Sequence, residues 1–345
     1  MNRSGVPVPY GAYNPKRYTC RRASEALALD GRLDKPFWSA AAWTDDFVDI
    51  EGDLRPKPAK RTRAKMLWDD DYFYVGAELI EDQIWATLRE RDSVIFYDND
   101  FEIFIDPDGD SHQYYELEIN ALNTVWDLLL VKPYRDGGPA VNGWDIRGLR
   151  TAVHIDGVLG DPFADNRMWS VEIALPWSAL RECAAEGRPP AAGEFWRVNF
   201  SRVEWQTEVR DGQYQKVVDP RTGKPYSEDN WVWSPMGLIN MHYPELWGYV
   251  MFADDQGPDT FELPPDETIK WELRRLYYAA RNFRAKHGTY PYDLQQIMGA
   301  DETWALAPKL ETTSGMFQIT APAADGVSIY CIRDDGKLWK ESIGQ

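Results

Sequence analysis

Apolar and polar residues alternate most strictly between Asp98 and Asn120, in the run DNDFEIFIDPDGDSHQYYELEIN. Phe101, Ile103 and Ile105 share one face of a first segment, and Tyr115, Leu117 and Ile119 share one face of a second. A period of two marks a β-strand with one side on a core. The DPDGDS stretch between the segments has the residues of a tight reversal, so the pattern predicts a β-hairpin. Its other face is acidic. Asp98, Asp100, Glu102 and Asp106 lie there with Phe104 among them, facing Tyr114, Glu116, Glu118 and Asn120. A reversal centred on Gly109 sets Glu102 near Glu116 and Asp100 near Glu118. Like charges directly opposed destabilise a sheet. Such a face needs a counter-charge, a cation, or a ligand whose hydroxyls bond to carboxylates, as those of a sugar do. The plain alternative is a solvated face, although solvated faces usually mix signs.

Shorter runs of the same kind recur at 61–68, 72–80, 125–131, 169–175, 195–205 and 249–252. At least eight short strands, long loops at 133–150 and 206–230 and almost no helix before residue 255 predict an all-β antiparallel sandwich or jelly roll. Residues 1–22 read as an extended lead-in, 23–255 as the sandwich and 262–345 as a small α+β appendage. In the appendage a helix starts at Pro264-Pro265-Asp266 and runs to about His287. Its apolar stripe is Ile269, Leu273, Leu276, Tyr277, Ala280 and Phe283, and Gly288 suits its C-cap. A short helix at 293–297 and an antiparallel pair at 317–320 and 327–332 complete it. Arg61, Arg63 and Lys65 share one face of their run, and would answer the acidic hairpin if the two were neighbours.

Composition narrows the function. A formal net charge of -18 over 345 residues disfavours nucleic acid or an anionic membrane as partner. Sixteen Trp and 18 Tyr suit β cores and flat sugar-binding surfaces. Cys20, Cys183 and Cys331 form no disulfide framework or zinc spacing, and His112, His154, His242 and His287 show no zinc pattern either. No apolar run of membrane-spanning length occurs. The first residues lack the apolar stretch of a signal peptide, so the expected compartment is the cytoplasm, or the exterior if a leader has been trimmed. The alternate spacing of Asp106, Asp108 and Asp110 suits oxygen ligation of calcium; a plain hairpin turn is the favoured account of it. Asp100 and Glu102 sit roughly 7 Å apart along one strand, within the range of catalytic carboxylate pairs, but on one side of any bond between them.

Eight segments in order resemble carbohydrate-binding module family 9 and its longer relatives. They are LDGRLDKPFW (29–38), AKMLWDDDYFYVGAELIE (64–81), RDSVIFYDNDFEIFIDPDGD (91–110), YYELEINALNTVWD (114–127), WSVEIALPWSAL (169–180), FWRVNFSRVE (195–204), WSP (233–235) and HYPELWG (242–248). The resemblance implies a DOMON-like, immunoglobulin-like sandwich, sugar binding and structural calcium. In that family two aromatic rings clamp a sugar at a chain end, and polar groups read its hydroxyls. Carried over, one ring is Phe96 with Tyr97 beside it, and the polar groups are Glu102, Asn120 and Arg202. The second ring falls near Ile239 to His242, where His242 stands and no Trp does; Trp231 or Trp233 would substitute. Glu118 stands where founding members have arginine. Trp85 and Trp144 are further candidates for ring contact, Asp100 for the acidic cluster, and a salt bridge to Glu102 is the alternative role for Arg202. Residues 277–297 are similar in pattern to pilin-type secretion subunits but lack the membrane-spanning half, so that function is not carried over. The expected function is non-catalytic binding of a mono-, oligo- or polysaccharide, in carbohydrate catabolism or glycan capture. The rivals are a glycoside hydrolase and an interaction module that has lost its sugar.

Overall fold

The computed structural model describes residues 5–254, 257–299 and 306–343; residues 1–4 of the expected lead-in and parts of the C-terminal region lie outside them. Besides two-residue strands at Val48–Asp49 and Ala140–Val141, eleven strands build the main sheet. They are β1 (Arg17–Arg22), β2 (Thr62–Trp68), β3 (Tyr72–Ile80), β4 (Asp100–Asp106), β5 (Tyr114–Asn120), β6 (Val125–Leu130), β7 (Arg150–Asp156), β8 (Met168–Pro176), β9 (Phe195–Glu204), β10 (Asp229–Val232) and β11 (Gly248–Ala253). The hydrogen-bonded order is β6-β5-β4-β9-β11-β1-β2-β3-β8-β7, with β10 paired to β9. The ladder folds over on itself. Phe101, Ile103 and Ile105 of β4 and Tyr115, Leu117 and Ile119 of β5 share one core with Met66 of β2, Val75 and Leu79 of β3, and Val171 and Ile173 of β8. That is a β-sandwich, in which the inner faces of two layers interdigitate.

Where the two layers meet, the expected lead-in supplies a strand instead of an extended tail. Arg17 to Arg21 of β1 run parallel to Tyr249 to Ala253 of β11, and Arg21 and Arg22 run parallel to Leu67 and Trp68 of β2. The DGRLDKPFW segment is pinned from below by the buried Glu172 of β8. Its carboxylate accepts from the backbone N–H of Asp30 and Gly31, both at 2.9 Å, and from Trp38 Nε1 at 2.7 Å.

The hairpin forms with the expected inner face, but its register differs. Glu102 lies opposite Glu118, Asp100 opposite Asn120 and Phe104 opposite Glu116. The reversal centres on Asp110, not Gly109. Asp106 accepts from the N–H of Gly109 at 3.0 Å and of Ser111 at 2.9 Å, and Ser111 and Gln113 take positive φ (70° and 50°). Side-chain acceptors and left-handed residues of this kind set a hairpin's register. Arg61, Arg63 and Lys65 do not answer the acids. β2 lies in the opposite layer, where Arg61 and Arg63 pair with Glu78 at 2.9 and 3.0 Å, and Arg63 and Lys65 cover Trp43.

Beyond β11, helix α1 (Asp266–His287) ends at Gly288, whose φ is 82° and whose N–H donates to Arg284 O at 2.8 Å. A 3-10 turn over Leu294–Gln296 follows. The expected strand pair is a four-stranded meander of β12 (Lys309–Thr312), β13 (Phe317–Pro322), β14 (Ser328–Arg333) and β15 (Leu338–Ser342). Leu273, Leu276, Tyr277 and Ala280 of α1 pack with Ile319 and Ile332 of the meander and with Phe104, Tyr114, Leu128, Leu130 and Trp247 of the sandwich. The outer face of β4–β6 is therefore buried over much of its length, which the apolar Phe104 and Tyr114 among its acids reflect. The three cysteines are free and buried, and no helix among the described residues is long and apolar enough to cross a membrane.

Candidate functional site

The uncovered part of that outer face is the floor of a cleft of about 460 Å³. Strand alternation puts Glu102 and Phe104 of β4 and Glu116 and Glu118 of β5 on one side, and Trp126 of β6 lies directly opposite Glu118. Phe96 enters from the turn before β4, held by its N–H donating to Glu118 Oε2 at 2.9 Å. Its ring lies 6.5 Å from that of Trp126 and 4.9 Å, edge on, from exposed Tyr97. The other wall is Tyr134 and His242, with ring centres 4.5 Å apart. His242 Nδ1 and the Tyr114 hydroxyl share a hydrogen bond of 3.0 Å, and Arg135 Nη1 donates to the His242 carbonyl at 2.9 Å. Burial, with Arg135 beside it, pushes the His242 imidazole down to about 3, so the ring is neutral at pH 7. Asn230, Asn240 and Glu228 complete the rim. A larger cleft, about 620 Å³, lies between residues 9–16 and 235–237. Proline and glycine loops make much of its wall, and none of the sequence-predicted residues reaches it. Aromatic rings and convergent polar groups mark a ligand site better than volume does.

Of the sequence-predicted residues, the structure brings Phe96, Glu102 and His242 to the cleft, with Tyr97 beside Phe96. Asp100 lies beneath the floor, fully buried, with Oδ1 accepting from Val203 N–H at 3.3 Å. Asn120 is elsewhere. Its amide donates to Leu88 O at 2.9 Å and Asp98 Oδ2 at 3.1 Å, and its Oδ1 accepts from the N–H of Leu122 and Thr124, each at 3.0 Å. It closes the β5–β6 turn and has no bond left for a ligand. Arg202 is opposite Phe101 and so points into the sandwich. It pairs with Glu81 at 2.6 Å and Glu204 at 2.8 Å, not with Glu102. Trp85 is buried against Val203 and Trp205 beneath Lys216, and Trp144 stacks on Tyr115 at 4.8 Å. Trp231 and Trp233 belong to the inner core and leave the second-ring position to His242 and Tyr134. Sequence reasoning missed Trp126 and Tyr134. The pairing of β6 on β5 carries the first: once Glu118 is on the acidic face, its cross-strand neighbour is too.

Residues 29–136 match the family model described as carbohydrate family 9 binding domain-like. Over that stretch the chain is family 9-like. A candidate carbohydrate-binding protein of Bacteroides uniformis has a similar structure, with a TM-score of 0.50 and 15% identity over 69% of this chain and 100% of the other. At that identity the likeness speaks to fold. A family 9 carbohydrate-binding module of Caldicellulosiruptor kristjanssonii was solved with cellotriose (TM-score 0.42) and with glucose (0.44). Each is 17% identical over 72% of this chain and 100% of the module. A search of curated proteins returns no match.

Three sets of carboxylates have oxygens that converge within 4.8 Å, among the described residues. Asp92, Asp127 and Asp145 surround Arg91, which bonds to Asp127 and lies 3.1 Å from Asp145. Asp106, Asp108 and Asp110 form the β4–β5 turn. Their oxygen donors are the kind calcium prefers, but Lys337 Nζ sits 3.1 Å from Asp110, and backbone N–H groups occupy both oxygens of Asp106. The residues fit a calcium ion only in competition with that lysine. The third set, Asp100, Glu102 and Glu118, has no ion pair to any cation among the described residues. Burial raises the Glu102 carboxyl to about 7, and burial and mutual repulsion raise Asp100, Glu116 and Glu118 well above the carboxylate range.

Proposed function

We propose that the cleft binds a neutral carbohydrate without cleaving it. The observation that carries this is the convergence of Phe96, Trp126, Tyr134 and His242 around the Glu102–Glu118 floor in a cleft of about 460 Å³. That volume is within the range of small-ligand sites. The apolar face of a pyranose packs on aromatic rings, and its hydroxyls donate to carboxylates and to Asn230 and Asn240. The family 9-like stretch supplies the whole acidic hairpin, Phe96 and Trp126. Hydrolysis is disfavoured by geometry. A glycosidase sets its two carboxyl groups on either side of the scissile bond, whereas Glu102 and Glu118 are cross-strand neighbours on one face. A structural calcium ion at Asp106, Asp108 and Asp110, displacing Lys337, belongs to the same reading, with glycan capture ahead of breakdown as the physiological setting.

Titration of the chain with a panel of β- and α-glucan oligosaccharides, followed by Trp fluorescence, tests the proposal. Saturable quenching without new reducing ends is the expected result. Trp126→Ala should weaken binding about tenfold, or roughly 1.4 kcal/mol, and leave the melting temperature within a few degrees because Trp126 is only partly buried. New reducing ends, or silence across the panel, would overturn the proposal.

A further inference from the structure

Each of the first two carboxylate sets has a basic side chain of its own, and the third does not. Its members are also the most buried: Asp100 is 0%, Glu118 1% and Glu102 5% exposed. Two further atoms point the same way. Asp100 Oδ2 is buried with no hydrogen-bond partner, and so is Ser201 Oγ. Ser201 lies directly opposite Glu102 in the β4–β9 ladder, so its hydroxyl faces the cluster. It is near enough to hold the Glu102 carboxyl down somewhat, yet completes no hydrogen bond. A fully buried hydroxyl and a fully buried carboxylate oxygen without partners are costly unless something absent from the chain itself fills the space between them.

The spacing suits a cation held by oxygen ligands. Calcium takes oxygen ligands at about 2.3–2.6 Å, so ligands across one ion stand roughly 4.6–5.2 Å apart. One oxygen each from Asp100, Glu102 and Glu118 lies within 4.8 Å of the others. We propose that Asp100, Glu102 and Glu118, with Ser201 beside them, bind a calcium ion in the floor of the cleft, and that the side of the ion facing the cleft takes hydroxyls of the sugar. The second half of this proposal rests on the carbohydrate reading; the first half does not. Three carboxylates cannot fill the six to eight positions of the ion, and Glu102 and Glu118 both line the cleft. Glu116, on the same floor, adds charge that favours the ion.

The test uses the full chain stripped with EDTA and then titrated with calcium alone by calorimetry. Wild type, Glu118→Gln and Asp108→Asn are compared, with circular dichroism to confirm folding. Glu118→Gln removes a repulsive charge, so it should fold at least as well as wild type. The expected result is one calcium fewer per chain in Glu118→Gln and an undiminished cleft ion in Asp108→Asn, together with terbium luminescence sensitised by Trp126 in wild type and lost in Glu118→Gln. Equal calcium counts in wild type and Glu118→Gln, or no calcium in wild type, would overturn the metal site. Cellotriose affinity should then fall at least tenfold on calcium removal. Equal affinity with and without calcium would overturn the bridging role while leaving sugar binding intact. Failure of every sugar in both buffers would remove the carbohydrate reading, and the calcium count would still decide the site.

Discussion

Glu245→Ala should destabilise the chain by roughly 3–5 kcal/mol, the usual cost of stripping one partner from a buried ion pair. Glu245 joins the sandwich to the C-terminal region. Arg135, from the loop after β6, donates to both of its oxygens at 2.8 and 2.9 Å, the Tyr278 hydroxyl of α1 donates to one of them, and Arg274 Nε lies 3.6 Å away. Burial alone would raise this carboxyl, but Arg135 and then Arg274 outweigh it and hold it down at about 2. Without it two guanidinium groups remain in a pocket walled by Tyr243, Tyr277 and Tyr278, with Asp136 as the nearest acid to Arg135. Glu245→Gln keeps one acceptor and should lose less. Urea unfolding midpoints decide it; a midpoint for Glu245→Ala equal to that of wild type would contradict the account. Sugar affinity should drop as well, because Arg135 also bonds to the His242 carbonyl and follows Tyr134, so the same network positions one wall of the cleft.

In EDTA the chain should grow more stable as the pH falls from 8 to about 5.5, by roughly 2–4 kcal/mol at about 1.4 kcal/mol per pKa unit. A carboxyl raised on folding binds more protons folded than unfolded between its two values. The stability it contributes is therefore full below the unfolded value and lost as the pH climbs through the folded one. For Glu102 that window runs from 4.5 to about 7. Asp100, Glu116 and Glu118 shift the same way, and so does Asp106, buried beside Asp108 and Asp110. His242, lowered to about 3, opposes them below its ordinary value of 6.5, because the unfolded ring gains a proton that the folded ring refuses. His112 opposes them in the same sense. With Glu81, raised to about 7, and Asp108, raised to about 6, seven such carboxyls outnumber two imidazoles, so the net slope is set. Urea midpoints at pH 5.5 and 8 check the direction, and a lower midpoint at pH 5.5 would refute it. Saturating calcium should flatten the profile, since the ion replaces the protons.

The inner face of the hairpin was legible from residue order because burial on one side of a strand leaves a period of two, and Phe101 to Ile105 and Tyr115 to Ile119 keep it without interruption. The helix was legible for the same kind of reason: Leu273, Leu276, Tyr277 and Ala280 recur at helical spacing, and Gly288 stops the run. Register was not legible. It depended on which N–H groups the Asp106 carboxylate would gather, a choice made among several similar turns. Asn120 and Arg202 look like ligand residues in one dimension because both are polar within apolar strands. In three dimensions one closes a turn and the other balances Glu81 and Glu204 inside the sandwich. Trp126 and Tyr134 reach the cleft only through the pairing of β6 and the path of the loop after it, neither of which leaves a local pattern.

The strand at the N-terminus carries a consequence for how the chain reaches this state. β1 finds its neighbour β11 more than two hundred residues away, in parallel, at the seam between the layers. During synthesis β1 has only its two-residue pairing with β2 until almost the whole sandwich has left the ribosome. Contacts so distant in sequence are slow to form. The expected late event in refolding is the closure of this seam, with a rate sensitive to changes at Tyr18 or Cys20 and indifferent to changes in the meander.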